Sequence, residues 1–232
     1  MPPECSEART LSLATMGALI GDPVRAAILL HLSDGSRRPA SELAYLAGAS
    51  PQAASAHLAQ LVEGGLIVGE RMGRHRFFRL SSGEIAEMLE GLANWGDPHP
   101  RCRQSDPALC RARLCYDHLA GRLGVDMFDG MVARGWLILG SDGPGLNPAG
   151  LEWCRKNSLD LNPPAKSRRP LLRLCLDWTE RRHHLGGRFG AVLARALFDA
   201  GYLRRRSGER IVDVTPPGAA FFRRELSIDI PN

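Results

Sequence analysis

The first hundred residues contain no lysine, and nowhere does the chain hold an uncharged apolar run long enough to span a bilayer. The N-terminus also lacks a basic segment followed by an apolar one. No membrane association is therefore expected, and the chain is placed in the cytoplasm. Paired acid–base carboxylates, a serine elbow and a phosphate-cradling loop are all missing, so no enzyme activity is expected. Cysteine is sparse: Cys5, Cys102, Cys110, Cys115, Cys154 and Cys175 are all there is. In a cytosolic chain of this size, free thiols or ligands are expected in preference to disulfides. What remains is ordinary: 44% hydrophobic and 24% charged residues over a length of 232, enough for one large or two small domains.

Charge is unevenly placed. Residues 1–100 carry 8 Arg against 11 Asp plus Glu, a net of −3, whereas residues 101–232 carry 22 Lys plus Arg against 14 acids, a net of +8. The positive charge of the first half gathers in one short stretch, and a local field is what meets phosphate.

That stretch follows two helical patterns. Asp22 before Pro23 starts a helix with Val24, Ile28, Leu29 and Leu32 apolar, and Asp34-Gly35-Ser36 ends it. A short helix is predicted from about Ser41 to Ala47, then a turn at Gly48-Ala49. Ser50 is placed to cap the next helix and Pro51 to open it, since a missing N–H costs nothing at that position. Ala54, Leu58 and Leu61 form its apolar row, and Gly64-Gly65 stops it. Two such helices match a helix-turn-helix, whose second helix enters the DNA major groove. Leu66-Ile67-Val68 and Phe77-Phe78 then read as strands about a turn at Met72-Gly73, carrying Arg71, Arg74, His75, Arg76 and Arg79. A basic hairpin there is a wing, able to reach phosphates or the minor groove. Flanking helices are predicted at about Arg9–Ile20, after a loose terminus, and at about Ser82–Trp95; together they are the natural place for a homodimer interface.

LIGDPVRAAILLHLSDG, SELAYLAGASPQAASAHLAQLVEGGLI and GRHRFFRL together resemble the ArsR/SmtB family of bacterial winged-helix repressors, over about residues 9–95. The resemblance implies a homodimer that binds an inverted repeat in a promoter and lets go when an effector binds. It places Gln52, Ala53, Ser55, Ala56 and His57 along the recognition helix. Gln52 suits adenine, Ser55 a base or phosphate, and Ala53 and Ala56 a thymine methyl, with Ser50 at the helix start and the wing arginines on phosphates. The family's common metal sites do not carry over. ELAYLAG holds no cysteine, and GEIAEMLEGLANW holds neither His nor Asp.

Residues 1–97 are thus expected to be the DNA-binding domain, and a polar linker leads to a second domain at 108–232. The latter repeats itself, in copies of about 108–160 and 170–225. Each opens Leu-Cys-x-Asp, at Leu114 and Leu174, and each holds His-Leu-x-Gly-Arg-x-Gly from His118 and His184. Each continues to Gly-aromatic-Leu and Pro-x-Gly. The predicted order is helix, helix, hairpin, helix, a winged-helix-like plan, with the copies related by a pseudo-twofold axis. The fold class expected overall is mainly α with small β-hairpins.

Three readings of this half stay open. Cys115, Asp117, His118, Cys175, Asp177 and His184 can be core and ion-pair residues, or they can sense a thiol-bound metal or metalloid. On a helix, Cys115 and His118 would share a face. His99, Cys102, Cys110 and Cys115 form a second, irregularly spaced thiol group. Third, a small organic effector can sit between the copies, lined by Trp136, Trp153, Trp178 and Tyr202. The alternative of another class is a thiol- or metal-binding protein or enzyme using the Cys-x-Asp-His groups.

Overall fold

A computed structural model describes residues 3–73, 75–95, 106–140, 143–162, 169–206 and 209–230. The chain folds as two compact units, Met1–Leu89 and Glu90–Asn232.

The first unit opens with α1 (Pro3–Ile20), which begins at Pro3 where a loose end was expected. In α2 (Pro23–Leu32), Asp22 accepts a hydrogen bond from the Arg25 backbone N–H at 2.9 Å. Strand β1 (Arg38–Pro39) leads into α3 (Ala40–Leu46). Helix α4 (Pro51–Glu63) is capped by Ser50, whose oxygen accepts from the Ala53 N–H at 3.2 Å. Strands β2 (Ile67–Met72) and β3 (His75–Leu80) form the wing, and α5 (Gly83–Trp95) follows. The apolar rows converge as their spacing requires: Ile28, Leu29, Leu32, Leu43, Leu58, Leu61, Leu66 and Leu80 are all buried.

One feature of this sheet has no signal in the sequence. β1 pairs with β3, Arg38 opposite Phe78, making the wing three-stranded in the order β1-β3-β2. Arg38 is buried and held by Asp34 at 3.0 Å, by Glu42, and by the His31 carbonyl at 3.1 Å. A guanidinium is buried at tolerable cost only with such partners.

The second unit starts with α6 (Pro107–Arg111), capped by Asp106. Strands β4 (Arg113–Cys115) and β5 (His118–Ala120) precede α7 (Gly121–Ala133). A second hairpin, β6 (Leu137–Gly140) with β7 (Gly143–Leu146), leads to α8 (Pro148–Lys156). The same order recurs as β8 (Arg173–Leu176), β9 (His183–Gly186), α9 (Gly187–Asp199), β10 (Leu203–Arg205), β11 (Val212–Val214) and α10 (Pro216–Leu226). Each copy therefore opens with a hairpin where a helix was predicted. The later helix–hairpin–helix part is as expected.

The copies exchange partners. Helix α7 of the first packs on β9 of the second, and α9 packs on β5. Glycine permits this approach at matching places. A Cβ on Gly124 would lie 2.6 Å from the Leu119 carbonyl oxygen and 3.5 Å from His184 Cβ. A Cβ on Gly190 would run into the Leu185 carbonyl and lie 3.0 Å from His118 Cβ. One continuous core, including Leu114, Leu119, Phe189, Leu193 and Phe222, fills the space between the copies.

Candidate nucleic-acid interface and candidate effector site

Helix α4 divides cleanly. Ala54, Leu58 and Leu61 are buried, while Gln52, Ala53, Ser55 and Ala56 are exposed. An amphipathic helix with one small, polar, outward row is what the major groove accepts. The Ser55 hydroxyl donates to the Pro51 carbonyl at 2.8 Å, so its oxygen lone pairs remain to meet a base donor.

His57 is placed differently. It is half-buried, with Nδ1 3.5 Å from an Arg25 guanidinium nitrogen and 3.6 Å from an Asp22 carboxylate oxygen. Arg25 also donates to Gln60 Oε1 at 2.5 Å and to the carbonyls of Ala18 and Leu19 at 2.7 Å each. His57 therefore braces α4 against the start of α2. Arg25, not singled out by sequence reasoning, is the fastener that sets the attitude of the exposed row.

On the wing, Arg71 and Arg76 are exposed, and the Arg76 guanidinium lies 5.1 Å from the centre of the Phe78 ring. Arg79 is engaged instead with Glu70 at 2.8 Å, and Arg37 reaches the same carboxylate at 3.2 Å. Arg74 and the side chain of His75 lie outside the described residues. Exposed arginine on a hairpin beside an exposed helix row is a surface suited to phosphate and base edges together.

In the second unit, Cys115 stands opposite His118 across β4–β5, and Cys175 opposite His184 across β8–β9. The helical spacing expected for Cys115 and His118 is not found; their proximity comes from strand register. Between the two copies the two sulfurs are 3.9 Å apart and the imidazole centres 5.1 Å apart. The ligand atoms of Cys115, His118, Cys175 and His184 all lie within 4.8 Å of one another.

Each aspartate anchors the edge of this cluster through an arginine from the other copy's side. Asp177 accepts from Arg113 at 2.9 Å, from the Gly121 N–H at 2.7 Å, and from Thr179 at 2.9 and 2.7 Å. Burial alone would raise its carboxyl, but Arg113 and these donors hold it well below the usual range. Asp117 is likewise held down, against its burial, by Arg169 at 2.5 and 2.9 Å. His184 is pushed down by burial and by the neighbouring imidazole, and the Cys115 thiol is pushed up by its contact with Cys175 and by burial. Arg113, Arg169 and Thr179 were not anticipated; the arginines lie too far from Asp177 and Asp117 in sequence to leave a local pattern, whereas Thr179 is only two residues beyond Asp177.

Two expectations are corrected here. The group of His99, Cys102, Cys110 and Cys115 is not assembled as a set of free thiols. Cys110 is disulfide-bonded and Cys115 belongs to the other cluster, while His99 and Cys102 lie outside the described residues. Nor do the aromatics line one cleft. Trp136 stacks on Trp153 at 4.7 Å, Tyr202 on Phe221 at 4.6 Å, and Trp178 lies under the Arg113 guanidinium at 4.6 Å.

The first unit thus defines a winged helix-turn-helix protein of the DNA-binding kind. A family model described as a helix-turn-helix domain matches residues 20–70. The chain is 35% identical over 224 residues to the HTH-type transcriptional regulator YdfF of Bacillus subtilis, covering 94% of this chain and 99% of that one. It therefore belongs to that family of helix-turn-helix transcriptional regulators. Among solved structures it is similar to the homodimeric winged helix-turn-helix DNA-binding domain Mb0332 of Mycobacterium bovis, described as a possible ArsR-family regulator. That match has 24% identity and a TM-score of 0.39, covering 43% of this chain and 91% of that one. NolR of Sinorhizobium fredii matches at 25% identity and a TM-score of 0.37, covering 41% and 93%. The transcriptional repressor BigR of Xylella fastidiosa matches at 23% identity and a TM-score of 0.37, covering 43% and 100%. Among the described residues no single helix is long and apolar enough to cross a membrane.

Proposed function

We propose that this regulator is a homodimeric repressor of the cytoplasm that acts by binding, without catalysis. It recognises an inverted repeat in double-stranded promoter DNA and is released by an effector held in the second unit. The observation that carries this reading is the exposed row Gln52, Ala53, Ser55 and Ala56 on a helix whose opposite row is buried, followed at once by the arginine-bearing wing. The dimer is supported by apolar surface left uncovered on the flanking helices: Leu13 of α1 is 75% exposed and Leu92 of α5 is 47% exposed. Two recognition helices related by a twofold read half-sites about one helical turn, ~10 bp, apart.

Footprinting on the DNA upstream of its own gene tests the proposal. A protected inverted repeat with that spacing is expected. Gln52→Ala should relax base choice at one position of each half-site while leaving non-specific affinity unchanged. Protection without twofold symmetry, or an unaltered sequence preference in the variant, would overturn it.

A further inference from the structure

We propose that Cys115, His118, Cys175 and His184 form a closed, four-coordinate site for one divalent d10 metal ion, Zn2+ by the chemistry of its donors. The site is distinct from the cysteine and carboxylate–histidine positions expected of winged-helix metal sensors, and it owes nothing to the DNA-binding reading. Four observations carry it.

Each hairpin contributes one thiol and one imidazole, set opposite each other by strand register, and the packing of the copies brings the four ligand atoms within 4.8 Å of one another. Two sulfurs and two imidazole nitrogens are a zinc donor set. The sulfur–sulfur distance of 3.9 Å matches the edge of a tetrahedron with zinc–sulfur bonds of about 2.3 Å, which is about 3.8 Å.

Nε2 of both histidines is fully buried and has no hydrogen-bond partner. Two orphaned imidazole nitrogens in one dry cluster are costly unless something binds them. A Cys115–Cys175 disulfide would leave both orphaned; a metal ion satisfies both.

The carboxylates stand where a metal-bound histidine needs them. Asp117 Oδ1 lies 3.3 Å from His118 Nδ1, within hydrogen-bond reach; Asp177 Oδ2 lies 3.5 Å from His184 Nδ1, near it but not hydrogen-bonded. A carboxylate behind Nδ1 orients the ring so that Nε2 faces the ion. Arg169 and Arg113 in turn hold those carboxylates.

The charges balance as well. Binding releases two thiol protons, and two thiolates neutralise a divalent ion, so a neutral centre is buried. With four protein ligands no position is left open for substrate, so the ion staples the two copies together rather than activating water.

The test uses the reduced full-length protein, stripped with a chelator and reloaded with Zn2+ or Co2+ alone. One zinc per chain is expected, with cobalt giving the intense visible absorption and thiolate charge-transfer band of a tetrahedral site, displaced by zinc. Both should be lost in Cys115→Ser/Cys175→Ser. Should that variant not fold, alkylation of the wild type with peptide mapping decides: zinc should protect Cys115 and Cys175, and a chelator should abolish the protection. Folded, reduced protein that binds no more metal than the serine variant would overturn the site. So would equal labelling with and without zinc, or a Cys115–Cys175 disulfide recovered from protein prepared under reducing conditions.

Discussion

Asp177 shows how much one side chain can carry. Its two oxygens accept from Arg113, from Thr179 through both its backbone N–H and its hydroxyl, and from the backbone N–H groups of Gly121 and Glu180, with no exposure to water. Arg113 is equally buried, and Asp177 is the carboxylate that pairs its charge in the interior. Asp177→Asn retains the shape but leaves that charge unpaired, and removing one partner of a buried pair costs about 3–5 kcal/mol. Urea unfolding of the metal-free protein should show the loss; a change under about 1 kcal/mol would mean Arg113 finds water instead.

At the scale of elements, two devices decide what the helices can reach. Helix α9 lies close to β9 and β5 because Gly190 has no Cβ to strike the Leu185 carbonyl of β9 or to crowd His118 Cβ of β5, which would be 3.0 Å away. Alanine gains up to about 1 kcal/mol of helix propensity at such a site, but overpacking costs about 1–3 kcal/mol, and a backbone carbonyl cannot rotate away as a side chain would. Gly190→Ala is therefore expected to lower the melting midpoint. Gly91→Ala, in α5 with nothing within 4 Å of the added Cβ, should leave it unchanged or raise it. On the wing, Arg71 and Arg76 point to solvent while Arg79 is spent on Glu70. Arg71→Ala with Arg76→Ala should weaken binding on all DNA sequences and reduce the slope of log affinity against log salt by about 1 for each phosphate that the wing no longer neutralises. Unchanged salt dependence would remove the wing from the interface. Arg79→Ala should change the slope far less.

For the whole molecule, the division into two units has its own consequence. The core of the second unit draws on both copies, from Ala112 to Ile228. Residues 90–232 alone should therefore melt in one cooperative transition, visible by calorimetry. Neither copy should do so alone, because α7 and α9 each need the other copy's hairpin. A broad, non-cooperative melt of 90–232 would show that the unit borrows stability from the winged helix.

Local chemistry made much of this legible. Asp22-Pro23 and Ser50-Pro51 name helix starts because a cap and a missing N–H act within four residues, and the row Ala54, Leu58 and Leu61 declares its buried face by period alone. The opening strands of each copy were not legible as strands. β4 and β5 are three residues long, too short for an alternating pattern, and all of their residues are buried. The repeated motifs mark Cys115 and Cys175, and His118 and His184, as counterparts, but two residues separate thiol from imidazole in one copy and eight in the other, so spacing does not pair them. Strand register supplies that pairing. The sequence by itself determined the helices, the wing and the existence of two copies, because capping, periodicity and repetition are properties of neighbouring residues. Only the tertiary structure decided that two thiols and two imidazoles converge, that Arg113 and Arg169 guard them, and that Arg25 sets the pose of α4, because each of these contacts joins residues that chain order keeps apart.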